Sequence, residues 1–240
     1  PDINHSDYLF TPYPGKQIRY ALGAIKGVGE GAIEAVVHAR NSGGAFKDLF
    51  DFCVRVGKEH VNKRTIESLI RGGAFDGIEP NRAMLLANLD LAVSHAEQEA
   101  ENANQGGLFD LMEDAIEPVK MTEVPMWGEA VKLLEEKQVI GFYLSGHPFG
   151  PFAEEVRKIA PVALARLKPQ DSVRVAGFAT GVRSMLGKRG RLFFVTLEDL
   201  SGKVEVMVTG PALEQSQGLL KADQVLMMEC KVSRDDYGGG

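Results

Sequence analysis

Two stretches of helical spacing are interrupted by Gly27-Val28-Gly29, and few breaks restrict a chain so tightly. Leu22 and Ile25 precede it, and Ala32, Ile33, Val36 and Val37 follow it, at the intervals of a helix face that packs on a core. The spacing predicts two helices joined by a tight turn. Glycine enters positive φ with no Cβ in the way, so the amides of such a turn can point outward. They would lie beside the unpaired N–H groups and positive dipole end of the second helix. That is a cradle for an anion, with Lys26 at its lip and Val28 placed to tuck down and pin the two helices together. Lys26, Gly27, Val28, Gly29 and Gly31 are therefore the candidate phosphate-binding residues. On the Gly-apolar-Gly pattern alone, a softened turn between packed helices with no ligand is the alternative.

A formal net charge of −6 argues against an anionic partner until its distribution is read. Residues 16–75 carry ten Lys or Arg against six Asp or Glu, whereas residues 76–125 carry two against eleven. The last 75 residues are again slightly basic, so the acidity is concentrated in the middle of the chain. A length of 240 residues with 44% hydrophobic content suggests one or two globular domains. No apolar run has membrane-spanning length and no signal peptide opens the chain, which makes a cytoplasmic protein without membrane contact the expectation. Cys53 and Cys230 lie far apart with no histidine pairing and read as core residues, not as a zinc site or a disulfide.

In chain order, Phe10 to Tyr20 reads as a short hairpin turning at Pro14-Gly15. The helix after the break should run from about Glu30 to Arg40 and stop at Asn41-Ser-Gly-Gly44. Phe46, Leu49, Phe50, Cys53 and Val54 mark a helix that Asp48 is placed to cap, and Asn62 is placed to cap one bearing Ile66, Leu69 and Ile70. A further helix should follow Asn81 and extend through Leu91. The turn Arg71 to Asp76 looks like a degenerate repeat of the first, though its length and Asp76 favour packing over a second grip. From Ser94 to Met126 the composition predicts a mobile acidic linker, interrupted by Gln105-Gly-Gly-Leu-Phe109. Two adjacent bulky apolar groups with nothing local to pack against have the form of a short recognition motif. Helical spacing returns from Trp127 to Val139. His147 has no acid or nucleophile near it in sequence and reads as an imidazole that fixes a turn before Pro148.

The period then changes to two, giving strands at 173–180, 191–197, 203–208 and 224–232, with a helix between the last pair. That is the strand order of an OB fold, a five-stranded barrel, and a fifth strand is missing here. The loop after the first of these strands carries Lys188, Arg189 and Arg191 and is followed by Phe193 and Phe194. Cations along a backbone path beside stacking aromatics suit single-stranded nucleic acid. The alternative puts both phenylalanines in the core and leaves the cations solvated.

The break at Gly27 looks like a helix-hairpin-helix element, a module that grips duplex phosphates without reading bases. The longer string Ile18-Arg-Tyr-Ala-Leu-Gly-Ala-Ile-Lys-Gly-Val-Gly29 and the string Gly141-Phe-Tyr-Leu-Ser-Gly-His-Pro148 resemble the C-family replicative polymerases of bacteria, the DNA polymerase III alpha subunits. The resemblance covers essentially the whole chain. It implies an α+β, multidomain portion of such a protein: a helix-hairpin-helix region, a linker and an OB-type barrel. Residues 1–20 would end a preceding fingers region and 21–93 form tandem helix-hairpin-helix elements. Residues 94–125 would be the linker, 126–165 a helical connector and 166–240 the OB domain. Gln105, Leu108 and Phe109 resemble a sliding-clamp-binding peptide, with Gly106 where a leucine is common. Lys188, Arg189, Arg191 and Phe194 would meet single-stranded template.

No cofactor is expected in this chain. The Mg²⁺-binding carboxylates of the parent polymerase would lie in an upstream palm domain, because Asp48 with Asp51, Asp110 with Asp114 and Asp235 with Asp236 read as cap, linker and tail acids. Implied partners are duplex DNA, single-stranded template, the clamp and other holoenzyme subunits. A non-polymerase repair or scaffold protein using the same modules is the alternative; an aminoacyl-tRNA synthetase would explain only the barrel.

Overall fold

A computed structural model describes residues 1–104, 121–187, 190–216 and 218–233, with Asn104 and Asp171 described by their backbone. The chain forms two compact units, Pro1–Ser145 and Gly146–Gly240. The helical connector expected over 126–165 is thus divided between them.

In the first unit, strands β1 (Thr11–Tyr13) and β2 (Gln17–Arg19) form the expected hairpin, with Gly15 and Lys16 at positive φ in its turn. The first helix of the Gly27 element is not an α-helix. Leu22–Ala24 make a single 3₁₀ turn. The reason is local: the Leu22 and Gly23 amides donate to the carbonyls of Asp7 and Tyr8, so that stretch is stitched to the N-terminal segment instead of coiling on itself. Leu22 and Ile25 are buried as their spacing requires.

Helix α1 (Glu30–Gly43) follows the break. The side chain of Asp48 caps α2 (Leu49–Val56) by accepting from the Asp51 amide, and Asn62 caps α3 (Lys63–Arg71) by accepting from Thr65. The helix expected after Asn81 is two helices, α4 (Arg82–Ala87) and α5 (Leu89–Asn104). They part at Asn88, whose buried side chain donates to the carbonyls of Met84 and Thr122 and accepts from the Thr122 amide. Helix α5 continues past Ser94, where the linker was expected to begin, because Val93 and Ala96 still pack on the core. That core joins Ile33 and Val36 of α1 to Phe52 of α2, Leu69 of α3 and Phe75, and includes Val139 and Ile140 of α6 (Glu129–Ile140).

The second unit places α7 (Ala153–Ile159) before an antiparallel sheet of β3 (Gln170–Gly187), β4 (Gly190–Glu198), β5 (Lys203–Val208) and β6 (Val225–Val232). Helix α8 (Gly210–Ser216) lies between β5 and β6 in sequence. The strand order is β5-β4-β3-β6, so the first strand pairs with both the second and the fourth, as the OB topology requires. Strand β3 is much longer than expected. A register shift between Ala179 and Gly181 lets its first half pair with β6 and its second half with β4. The β4–β5 turn closes at Asp199: burial opposes its ionisation, but donors from Ser201, Leu164 and Gly202 outweigh this and hold the carboxyl below its ordinary value.

Candidate nucleic-acid interfaces

At the Gly27 turn only Gly27 has positive φ, at 80°, while Gly29 is extended and serves as the N-cap of α1. The Val28 side chain turns down into the core and its amide donates to the Ile25 carbonyl. The turn is held from below by α3, whose Thr65 hydroxyl donates to the Gly27 carbonyl at 3.3 Å. It is held laterally by α6: the Lys26 amide donates to the Val139 carbonyl at 2.8 Å and the Lys26 ammonium to the Gln138 carbonyl at 3.2 Å. Lys26 therefore sits on the negative end of α6, and since an ammonium has three donors, Gln138 takes only one of them.

With glycine at the N-cap, the first-turn amides of α1 have no side-chain acceptor. A Cβ built on Gly29 or Gly31 would meet nothing within 4 Å, so the surface beside the first turn of α1 is open. Exposed donors, an open approach and a helix N-terminus are the arrangement that takes a phosphate oxygen. Arg64, exposed in the residue before Thr65, adds a cation on α3 that sequence reading passed over, although the basic pair Lys63-Arg64 signalled it.

The second turn differs. Arg82, 4% exposed, fills it by bonding both Asp76 oxygens and the Arg71 carbonyl, and a Cβ on Gly73 would collide with its guanidinium. Asp76 is thus committed to packing. Arg82 also pairs with Glu136 of α6, 1% exposed, at 3.0 Å. Burial disfavours the Glu136 carboxylate, but the amide of Ser145 and the guanidinium of Arg82 outweigh burial and hold its pKa below the ordinary value. This network docks α6, which in turn holds Lys26.

In the sheet, directly paired residues share a face and successive residues alternate. Val195 pairs with Val182 on one side and Val206 on the other, all three pack in the core, and Phe193 packs there with them. Phe194 consequently lies on the outer face, paired with Arg183 and Met207. Arg191 has the parity of Phe193, so the period-2 alternation separates it from Phe194. The cation at the ring is Arg183, stacked 4.1 Å from its centroid, which sequence reading missed because it lies in what was expected to be a loop. Lys188 and Arg189, and the motif Gln105, Leu108 and Phe109, lie outside the described residues.

His147 acts as the turn residue expected, its Nδ1 accepting from the Phe149 amide. Cys53 is buried, and burial with nearby Asp48 pushes its thiol up to about 12. Asp48 caps α2 and Asp51 pairs with Arg55, so neither is arranged as a metal ligand; Asp110, Asp114, Asp235 and Asp236 lie outside the described residues. Among the described residues, no helix is long and apolar enough to cross a membrane.

Residues 1–85 match the helix-hairpin-helix motif family, and residues 173–240 the OB-fold nucleic acid binding domain family. The whole chain is 71% identical over 240 residues to a protein of Neisseria meningitidis serogroup A named DNA polymerase III subunit alpha. It is 44% identical to the protein of that name from Vibrio cholerae and 40% identical to that from Escherichia coli K12, again along all of its length. The chain spans only 21 to 22% of the length of these relatives.

Proposed function

We propose that the chain, which is similar to DNA polymerase III alpha subunits along its full length and spans about one fifth of theirs, is the DNA-gripping and clamp-tethering portion of a bacterial replicative polymerase. In this reading the whole protein is a DNA-directed DNA polymerase working in the bacterial cytoplasm on the nucleoid. Its Mg²⁺-dependent chemistry belongs to carboxylates outside these 240 residues, and this segment holds the substrate. A duplex phosphate enters over Gly29 and Gly31 and accepts from the uncapped amides of α1, with Lys26 and Arg64 supplying positive charge. The outer face of the sheet around Phe194 meets single-stranded template. Gln105, Leu108 and Phe109 engage the sliding clamp, and other holoenzyme subunits act on the same protein.

The observation that carries the duplex reading is the open, uncapped N-terminus of α1 beside a positive-φ glycine. Its contacts are to phosphates, so binding should be independent of base sequence and strongly salt-dependent. Affinity should fall by roughly 0.9 log units per log unit of salt for each phosphate neutralised. Titrating the chain against two unrelated duplexes over a range of salt concentrations tests this. A flat salt response, or a large difference between the duplexes, would count against it.

A further inference from the structure

The outer sheet face holds an arrangement that plain binding does not require. The Arg183 guanidinium lies over Phe194 and is also forked onto Glu205 across β4, with Nη2 2.9 Å from both carboxylate oxygens and Nε 3.3 Å from one. Arg183 is 62% and Glu205 44% exposed, so water screens the pair and little holds it shut. Next to the ring, Met207 is 61% exposed, which extends an apolar platform that the guanidinium covers only in part. A carboxylate and a phosphate present the same fork to arginine, so Glu205 occupies Arg183 in the manner a nucleic-acid backbone would.

We propose that Arg183, Phe194 and Glu205 form a latch: Glu205 parks Arg183 on the stacking ring until single-stranded nucleic acid enters. The fork then transfers to a backbone phosphate, and a base takes the place of the guanidinium on Phe194. This rests on the reading of the outer face as the single-strand interface. It makes Glu205 a residue that weakens binding through Arg183, and Arg183 a phosphate contact that the resting structure conceals.

The test titrates the 240-residue chain with labelled oligothymidylate of about 20 nucleotides, longer than one OB fold occupies. Glu205→Thr should tighten binding by roughly fivefold, a modest change as befits a screened pair. Arg183→Gln should weaken it by a similar factor and lower the log–log salt slope by about 0.7, the loss of one single-strand phosphate contact. In the Arg183→Gln background, Glu205→Thr should have no effect. Equal tightening in both backgrounds would mean that Glu205 merely repels the strand, which overturns the latch and leaves the interface standing. An unchanged salt slope in Arg183→Gln would overturn it likewise. No binding of oligothymidylate by the parent chain would overturn the interface and the latch together.

Discussion

Replacing Arg82 by alanine should destabilise the Pro1–Ser145 unit by about 3 to 5 kcal/mol, the usual result of leaving a buried charge without its partner. At this size the melting temperature should fall by on the order of 10 °C. The burden falls on Glu136, because Asp76 is one-third exposed and has Lys132 at 3.7 Å, whereas Glu136 has no access to water. The sign of the pH dependence follows. In the parent, Glu136 is held below its ordinary pKa, so its contribution is present above the ordinary value and is lost as pH falls through the folded one. Without Arg82, the hydrogen bond and charge of the guanidinium no longer offset burial, so the folded pKa rises, the carboxylate is less favourable at neutral pH, and protonation relieves the difference. The gap between parent and variant should narrow in acid. Arg82→Met with Glu136→Gln should recover much of the loss, since the amide oxygen still accepts from Leu144 and Ser145 while no charge is buried. Thermal melts at several pH values decide the matter. A gap that stays constant with pH would show that lost packing, and not the unpaired carboxylate, sets the effect.

Leu108→Ala with Phe109→Ala should abolish binding to the sliding clamp while leaving the melting temperature and duplex affinity unchanged. The two side chains would fill an apolar pocket on the clamp, each worth roughly 1.5 to 3 kcal/mol before ordering costs. Gln105 would orient the peptide through an amide that both donates and accepts. A peptide of this size would bind weakly alone, so its value would lie in turning repeated encounters into an intramolecular event at high effective concentration. Calorimetry against a purified clamp reads the first effect and a melt the second. Clamp binding that survives both substitutions would remove the motif from the account, and a lost melt would place these residues in a core.

Several helix starts were legible from local chemistry: Asp48 and Asn62 cap the helices they were expected to cap, and α1 begins at Glu30, just after the glycine break. The strands were legible from alternation, and the pairing order followed from their number and the helix between β5 and β6. What failed depended on distant partners. Leu22 and Ile25 have helical spacing, but the carbonyls of Asp7 and Tyr8 claim the backbone between them. Asn88 breaks a helix through a bond to Thr122, far along the chain. Lys26 was legible as a lip residue, whereas its anchoring by the C-terminus of α6 was not, because nothing local links Lys26 to Gln138. At the sheet, adjacency in sequence misled: Arg191 is near Phe194 along the chain but on the opposite face, and Arg183 reaches the ring only through the register of β3 with β4.

Duplex affinity and melting temperature of the Gly29→Asp variant together test whether a DNA phosphate sits at the Gly27 turn. Gly29 has the extended backbone of an N-cap and open space where a side chain would project, so aspartate fits there without strain. Its carboxylate would accept from a first-turn amide of α1 and complement the helix dipole, raising stability by a few tenths to about 1 kcal/mol. The same carboxylate would occupy the position and the donors assigned to a DNA phosphate. The two effects should have opposite signs: a chain that melts slightly higher and binds duplex at least roughly tenfold more weakly at fixed salt. A variant that gains stability and binds duplex as tightly as the parent would show that the phosphate does not sit at this turn.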